Sequence, residues 1–188
     1  MVKIKIEQDD DVTSPREWNN LGTFVLCHRR YNFGDKNYHY GVSNIDELYL
    51  SENINREVAK NQIVLLPVYL YEHSGLALST KDFGDRFDSG QCGFIYATYE
   101  KIRKNFQYKR VTKKLLSLVK ECLEQEIKTM DNFLQGNVWW YCIETSEGEH
   151  IDSCGGFFGK TLEETGMLDH VDKKYRAELK LAWSSSGE

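Results

Sequence analysis

The chain has 188 residues (21.9 kDa), with 24 Lys and Arg against 29 Asp and Glu, a formal net charge of −5, a sequence pI near 5.6 and a mean hydropathy of −0.56. That is enough chain for one domain with a substantial core, and the balance excludes a polybasic nucleic-acid coat, an acidic disordered chain and an integral membrane protein. The longest apolar run, Ile63 to Leu70, holds eight residues, where a spanning helix needs about 20.

Val2, Ile4 and Ile6 alternate with Lys3, Lys5 and Glu7, a period of two that predicts a half-buried strand ended by the acidic tract Glu7 to Asp11. This start lacks the basic head and apolar stretch of a secretory signal, which predicts a cytoplasmic protein. Ser14-Pro15-Arg16-Glu17 has capping-box spacing with proline first, so a short helix carrying Trp18 is expected there. Leu21 to His28 fits a buried strand or a second helical turn. From Asn44, Ile45, Leu48, Tyr49 and Val58 fit a helix interrupted around Ser51 to Asn55. Ile63 to Tyr71 reads as a strand, and Pro67 inside it predicts an edge or a bulge. His73-Ser74-Gly75 is a turn into a hairpin arm, Leu76 to Thr80. After an Asp- and Gly-rich loop, Asp82 to Gly90, strand character resumes at Gly93 to Thr98, and Thr98 caps a short helix to Phe106.

The clearest element is a long amphipathic helix over about 112–135, with Leu115, Val119, Cys122, Leu123, Ile127, Met130, Phe133 and Leu134 at helical spacing. Gly136 stands at its left-handed cap. Val138 to Glu144 is β-prone, Glu147-Gly148 is a hairpin turn, and His150 to Phe158 is the partner strand. Thr161-Leu162-Glu163-Glu164 repeats the capping-box spacing, a last helix is expected over Asp169 to Trp183, and Ser184 to Glu188 is a frayed tail. Strands and helices mix without βαβ alternation. The expected fold is therefore α+β, a largely antiparallel sheet carrying the long helix and several shorter ones, in a single domain over residues 1–183 with a tail at 184–188.

Four groups of residues carry candidate chemistry. Asp88-Ser89-Gly90-Gln91-Cys92-Gly93-Phe94 is echoed by Asp152-Ser153-Cys154-Gly155-Gly156-Phe157. Such segments are ordinary turns, or, together with His73 and His150, the edges of one pocket. On the second view His73, Asp88, Ser89, His150 and Asp152 are the catalytic candidates of a small hydrolase or nucleotide-modifying enzyme, with Cys154 a further member. Cys27-His28-Arg29-Arg30-Tyr31-Asn32-Phe33-Gly34-Asp35 combines guanidinium forks with aromatic faces, which suit phosphate, nucleotide or carboxylate recognition as well as a structural ion-pair network. Arg29, Arg30, Tyr31, Asp35, Gln91 and Ser153 are the ligand-binding candidates. Between Glu100 and Lys120 stand eight basic residues (Lys101, Arg103, Lys104, Lys109, Arg110, Lys113, Lys114, Lys120) and one acid, so this stretch carries +7 and the rest of the chain −12. With Phe106 and Tyr108 interleaved it is a possible nucleic-acid surface or a solvated helix face. The five cysteines (27, 92, 122, 142, 154) form no CxxC and read as free thiols, several of them within apolar segments. No histidine or cysteine pair has zinc-site spacing, so no metal and no cofactor are expected.

The blocks PREWNNLGTFVLCHRRYNFGD (15–35), VYLYEHSG (68–75), DSGQCGFIY (88–96) and DSCGGFFG (152–159), with the long helix between the last two, resemble a family of small uncharacterised proteins of bacteriophages and mobile elements. The resemblance covers roughly Ser14 to Gly159. The chain departs from it in the segment from Lys160 to Glu188, and at Cys92 and Gly155, where an apolar and an aromatic residue are expected. The resemblance implies a phage accessory protein in the cytoplasm of an infected bacterium, a non-enzymatic inhibitor that binds a host defence protein such as a CRISPR effector or restriction nuclease. The alternatives are sequestration of a nucleotide immune signal through the Arg/Tyr and Asp-Ser segments, and the small enzyme described above. No oligomeric state follows from the sequence.

Overall fold

A computed structural model describes residues 2–39, 47, 49 and 52–185. The fold is α+β, and the chain divides into two compact units, Met1–Ser14 with Asn132–Glu188, and Pro15–Asp131. Among the described residues no helix is long and apolar enough to cross a membrane.

The first unit is built on a three-stranded antiparallel sheet in the order β1 (Val2–Gln8), β7 (Val138–Thr145), β8 (His150–Phe158). The alternation of the first six residues places Ile4 opposite Ile143 and Ile6 opposite Tyr141. These side chains form one face of a core with Phe157, Leu162, Met167, Val171 and Leu179, while Lys3, Lys5 and Glu7 are exposed. Glu147-Gly148 makes the expected turn, Gly148 lying at φ +88°. Three short helices cover the sheet: α4 (Leu162–Thr165), α5 (Met167–His170) and α6 (Arg176–Ser185). Thr161 caps the first by accepting the Glu164 N–H at 3.2 Å, as its spacing predicts. The last helix is not continuous from Asp169. Val171 and Asp172 are extended, and Asp172 restarts the chain as a cap that accepts the Lys174 N–H at 3.2 Å before a 3₁₀ turn, Lys173–Tyr175.

The second unit holds a five-stranded sheet in the order β3 (Lys36–Tyr38), β2 (Thr23–Cys27), β6 (Ser89–Thr98), β4 (Ile63–Glu72), β5 (Leu76–Ser79). Among the described strands only β2 and β3 pair in parallel. Pro67 lies in the half of β4 that β5 does not reach, since β5 pairs with Tyr69 to Glu72 alone, and a bulge follows at Val68/Tyr69. The missing proline N–H therefore breaks no ladder bond. Phe94 and Tyr96 of β6 pack with Val25 and Ile54, and the buried Ile95 and Ala97 take the opposite parity of the same strand.

Three described helices complete this unit: α1 (Asn55–Ala59), α2 (Tyr99–Phe106) and α3 (Lys113–Leu134). The helix expected from Asn44 falls mostly outside the described residues. Thr98 caps α2 through the Lys101 N–H, and Gln107 ends it in the left-handed region. The buried stripe of α3 is Leu115, Val119, Leu123, Ile127 and Met130, all 5% exposed or less. Its last turn, from Asn132, belongs to the first unit, where Gly136 stands at φ +71° as expected.

The first segment expected to be helical is only a 3₁₀ turn, Pro15–Glu17. Long-range charge holds it. Arg16, its side chain 5% exposed, bonds Asp35 through Nε (2.9 Å) and Nη2 (2.5 Å), and Glu126 of α3 through Nη1 (3.0 Å). Glu126 also accepts the N–H groups of Leu21 and Gly22, and Asp35 that of Phe24. One buried guanidinium thus joins the 3₁₀ turn, the β2–β3 connection and the long helix.

Candidate functional site

Strands β2 and β4 run the same way, both antiparallel to β6 between them. The residues after β2 and β4 and those opening β6 therefore meet at one end of the sheet. Here the Arg-aromatic block, the YEHSG turn and the first Asp-Ser segment come together, although they are far apart in sequence. The β2–β6 register ends at Leu26↔Gly93, while β6 extends to Ser89 and keeps β4 as its partner. A cleft of about 430 Å³ occupies the gap, lined by Cys27, His28, Arg29, Arg30, Glu72 and the segment Phe87 to Cys92. Its size lies within the usual range for small-molecule sites, about 300–1,000 Å³. Gly93 marks the point of closest approach. A Cβ there would stand 2.0 Å from the Val25 carbonyl oxygen, so only glycine lets β2 and β6 pair up to the edge of the gap.

Glu72 organises one wall. Its two carboxylate oxygens accept from Arg30 Nη2 at 2.7 Å each, and His28 Nε2 stands 3.6 Å away. Burial pushes the Glu72 carboxyl up, but the nearby Tyr31 hydroxyl, the Arg30 hydrogen bonds and the positive charge of Arg30 and His28 outweigh it, so the net shift is downward. His28 is shifted down by burial first, with Arg30 and Arg29 adding to it against the pull of Glu72. The Tyr31 ring stacks on His28 at 4.7 Å and 13°, and continues through Phe33 (5.8 Å) towards the buried Phe24. Arg29 is exposed and forms no ion pair or hydrogen bond among the described residues.

Asp85 shapes the opposite rim. Its Oδ1 accepts the N–H groups of Phe87 (2.8 Å) and Asp88 (3.0 Å), while its backbone carbonyl accepts the Ser89 hydroxyl. Those two backbone N–H bonds hold the Asp85 carboxyl below its usual range. The braced turn presents Phe87 to solvent at 97% exposure. Asp88 in turn pairs with His73 Nδ1 at 3.1 Å. The Ser89 proton is directed at Asp85, not at an imidazole, so His73 and Asp88 form a pair with no hydroxyl nucleophile hydrogen-bonded to it among the described residues. The Gln91 amide donates to the Gly93 carbonyl at 3.1 Å, and Cys92 is buried, its thiol pushed up to about 12 by desolvation.

Of the candidates read from sequence, Arg29, Arg30, Tyr31, His73, Asp88, Ser89 and Gln91 thus gather at this end of the sheet. Asp35 is engaged by Arg16 and the Phe24 N–H instead. His150, Asp152, Ser153 and Cys154 belong to the other unit. There the Tyr141 hydroxyl donates to Asp152 at 2.9 Å, and His150 Nε2 meets the Ser153 hydroxyl at 3.0 Å. The second Asp-Ser segment opens a β-bulge: Gly155 and Gly156 together oppose the single residue Trp140. Gly156 takes φ +75°, which an L side chain resists, and donates its N–H to Asp9 at 2.8 Å. A Cβ on Gly155 would lie 2.4 Å from the Asp9 carboxylate, which would have to shift to admit any side chain there.

Arg103, Lys104, Lys109, Arg110, Lys113 and Lys114 are exposed. Lys101 is partly buried, and its ammonium is shifted down by desolvation despite the pull of Glu126 and Asp35. Sequence reasoning missed Glu72, Asp85 and Phe87. The signal for the last was on the page: an aromatic residue among Asp and Gly has no core to enter. Among the described residues no group of three or more His, Cys, Asp or Glu is placed to hold a metal. No family model matches the chain, and no curated protein or solved structure matches it either.

Proposed function

We propose that this protein is a non-enzymatic binder of a nucleotide-class ligand, held in the cleft between β2 and β6. The observation that carries this reading is Phe87, almost fully exposed yet braced by Asp85, lining the same cleft as Arg29, whose guanidinium forms no ion pair or hydrogen bond among the described residues. A bare aromatic face stacks on a nucleobase, worth about 1–3 kcal/mol per base. A free guanidinium takes a phosphate in a fork of two hydrogen bonds. Arg30 is neutralised by Glu72 and Asp88 faces His73, so the cleft is zwitterionic. That suits a ligand with an anionic phosphate at one end and hydrogen-bond donors on a base at the other.

In the phage setting implied by the sequence resemblance, such a protein withdraws a nucleotide immune signal from a bacterial defence system. Sequestration is favoured over occupation of an effector's channel because a cleft of ligand size is what the geometry supplies. Isothermal titration against mononucleotides and cyclic dinucleotides tests the reading, with chromatography of the recovered ligand. The expected result is binding without conversion, weakened about tenfold or more by Arg29→Ala and also weakened by Phe87→Ala. Absence of binding across the panel, or binding indifferent to both substitutions, refutes it. Recovery of a converted nucleotide transfers the cleft to the enzyme alternative.

A further inference from the structure

A second groove of about 430 Å³ lies between the end of α2 and the start of α3, floored by Phe106, Leu115 and Leu118 and walled by Tyr108, Lys114 and Glu121. Tyr108 is 58% exposed and Leu118 44%. Seven of the eight cations of the basic segment, all but Lys101, are exposed on the two helices and the connection that form it, and none of the seven is in an ion pair among the described residues. Two of them, Lys113 and Lys114, sit in the first turn of α3, which contains no acid. Cations there oppose the helix dipole. A solvated face balanced for stability would carry acids at those positions.

We infer that this groove docks a short segment of a partner protein, in which one or two large apolar side chains are flanked by aspartate and glutamate. The floor is mainly aliphatic, so it receives an apolar side chain better than it stacks a base. Lys114 lines the groove and the other exposed cations stand on the same helices and their connection, so acids that flank the anchor meet a net positive surface. Glu121 in the wall disfavours a strand that bears a phosphate at every residue, whereas a peptide places its acids only where cations stand. The groove is separate from the β2–β6 cleft, and none of its lining residues is shared with it.

Selection of random dodecapeptides displayed on phage, followed by anisotropy of labelled winners with the full chain, tests the inference. Winners should carry apolar anchors flanked by acids and should weaken as salt rises. Binding should fall at least about tenfold with Leu118→Asp, and likewise with the pair Lys113→Glu and Lys114→Glu. The charge reversals complement the α3 dipole, so thermal unfolding should hold or rise while binding is lost. Failure to enrich any peptide, winners without acids, or affinities unchanged by both variants overturn the inference. So does single-stranded oligothymidylate that binds more tightly and displaces the peptide, which assigns the surface to nucleic acid.

Discussion

Replacing Arg16 with leucine removes the guanidinium that hydrogen-bonds two carboxylates, and leaves Lys101 as the other cation that interacts with both. The side chain is 5% exposed, and the Asp35 and Glu126 side chains are 24% and 13% exposed. The substitution deletes two bonds to Asp35, one to Glu126 and one to the Gly22 carbonyl at 3.1 Å. Taking one partner from a buried ionic pair costs about 3–5 kcal/mol, because the remaining charge stays desolvated. Here both carboxylates keep backbone partners, from Leu21, Gly22 and Phe24, and some water access, so the low end, about 3 kcal/mol, is expected. Glu126→Gln alone keeps an oxygen for the Leu21 and Gly22 N–H groups and should cost less, about 1.5 kcal/mol. In the double variant Asp35 is the only member of the triad that remains charged. The two losses should then fail to add, by about 0.5–3 kcal/mol.

Urea unfolding measures these differences. Trp18 is the single tryptophan of Pro15–Asp131, so a variant with Trp139, Trp140 and Trp183 changed to phenylalanine reports on this unit by emission, with circular dichroism beside it. A loss under about 1 kcal/mol for Arg16→Leu, the value of an exposed pair, or strict additivity in the double variant, refutes the view that a buried triad fixes the 3₁₀ turn to α3.

Gly93→Ala should be among the most disruptive single-methyl changes in the chain, because its Cβ meets the Val25 carbonyl at 2.0 Å and β2 and β6 must part; amide hydrogen exchange should accelerate along both strands, and unchanged protection refutes the steric argument. The Glu72 carboxyl is shifted below its unfolded value, so its contribution is present above the usual carboxylate range and is lost as pH falls through the lowered folded value. The melting difference between wild type and Glu72→Gln should therefore be widest near neutrality and shrink in acid; a difference that grows on acidification has the wrong sign. Alkylation at pH 8 followed by mass spectrometry should modify the exposed Cys154 first and spare Cys92, which is buried with a thiol pushed up to about 12; early labelling of Cys92 refutes its placement.

The elements legible in the sequence are those whose cause is local. Alternation gave β1, a repeat of apolar residues gave α3, and single hydroxyls at Thr98 and Thr161 marked helix starts that the coordinates place where expected. Ser14 to Glu17 starts a short helix as its spacing predicts, but only a single 3₁₀ turn, Pro15–Glu17, whose partners Asp35 and Glu126 are 19 and 110 residues from Arg16. The two Asp-Ser-Gly segments show the same limit. They have nearly one composition, yet Asp9 draws the second into a bulge, while Asp85 turns the first to face a cleft. Composition announces a turn, and a distant carboxylate or neighbouring strand decides its use. The meeting of Arg29, Glu72 and Ser89 required the direction of three strands, which no window of sequence contains.

The same reasoning sorts the cations. A net charge of −5 says little, and even the +7 of residues 100–120 overstates one uniform face, because Lys101 is drawn towards Glu126 and Asp35 while its neighbours stay in water. Arg16 and Arg30 resemble Arg29 as sequence symbols, but each already holds a carboxylate by two hydrogen bonds. A guanidinium so engaged cannot take a ligand without first losing that pair, and for Arg16 the loss also exposes the folding network. Arg29 and the seven exposed cations of α2, α3 and their connection meet no such condition. The two proposed recognition surfaces therefore rest on charges that the fold leaves uncompensated, each beside an aromatic ring left in solvent, Phe87 at the cleft and Tyr108 at the groove.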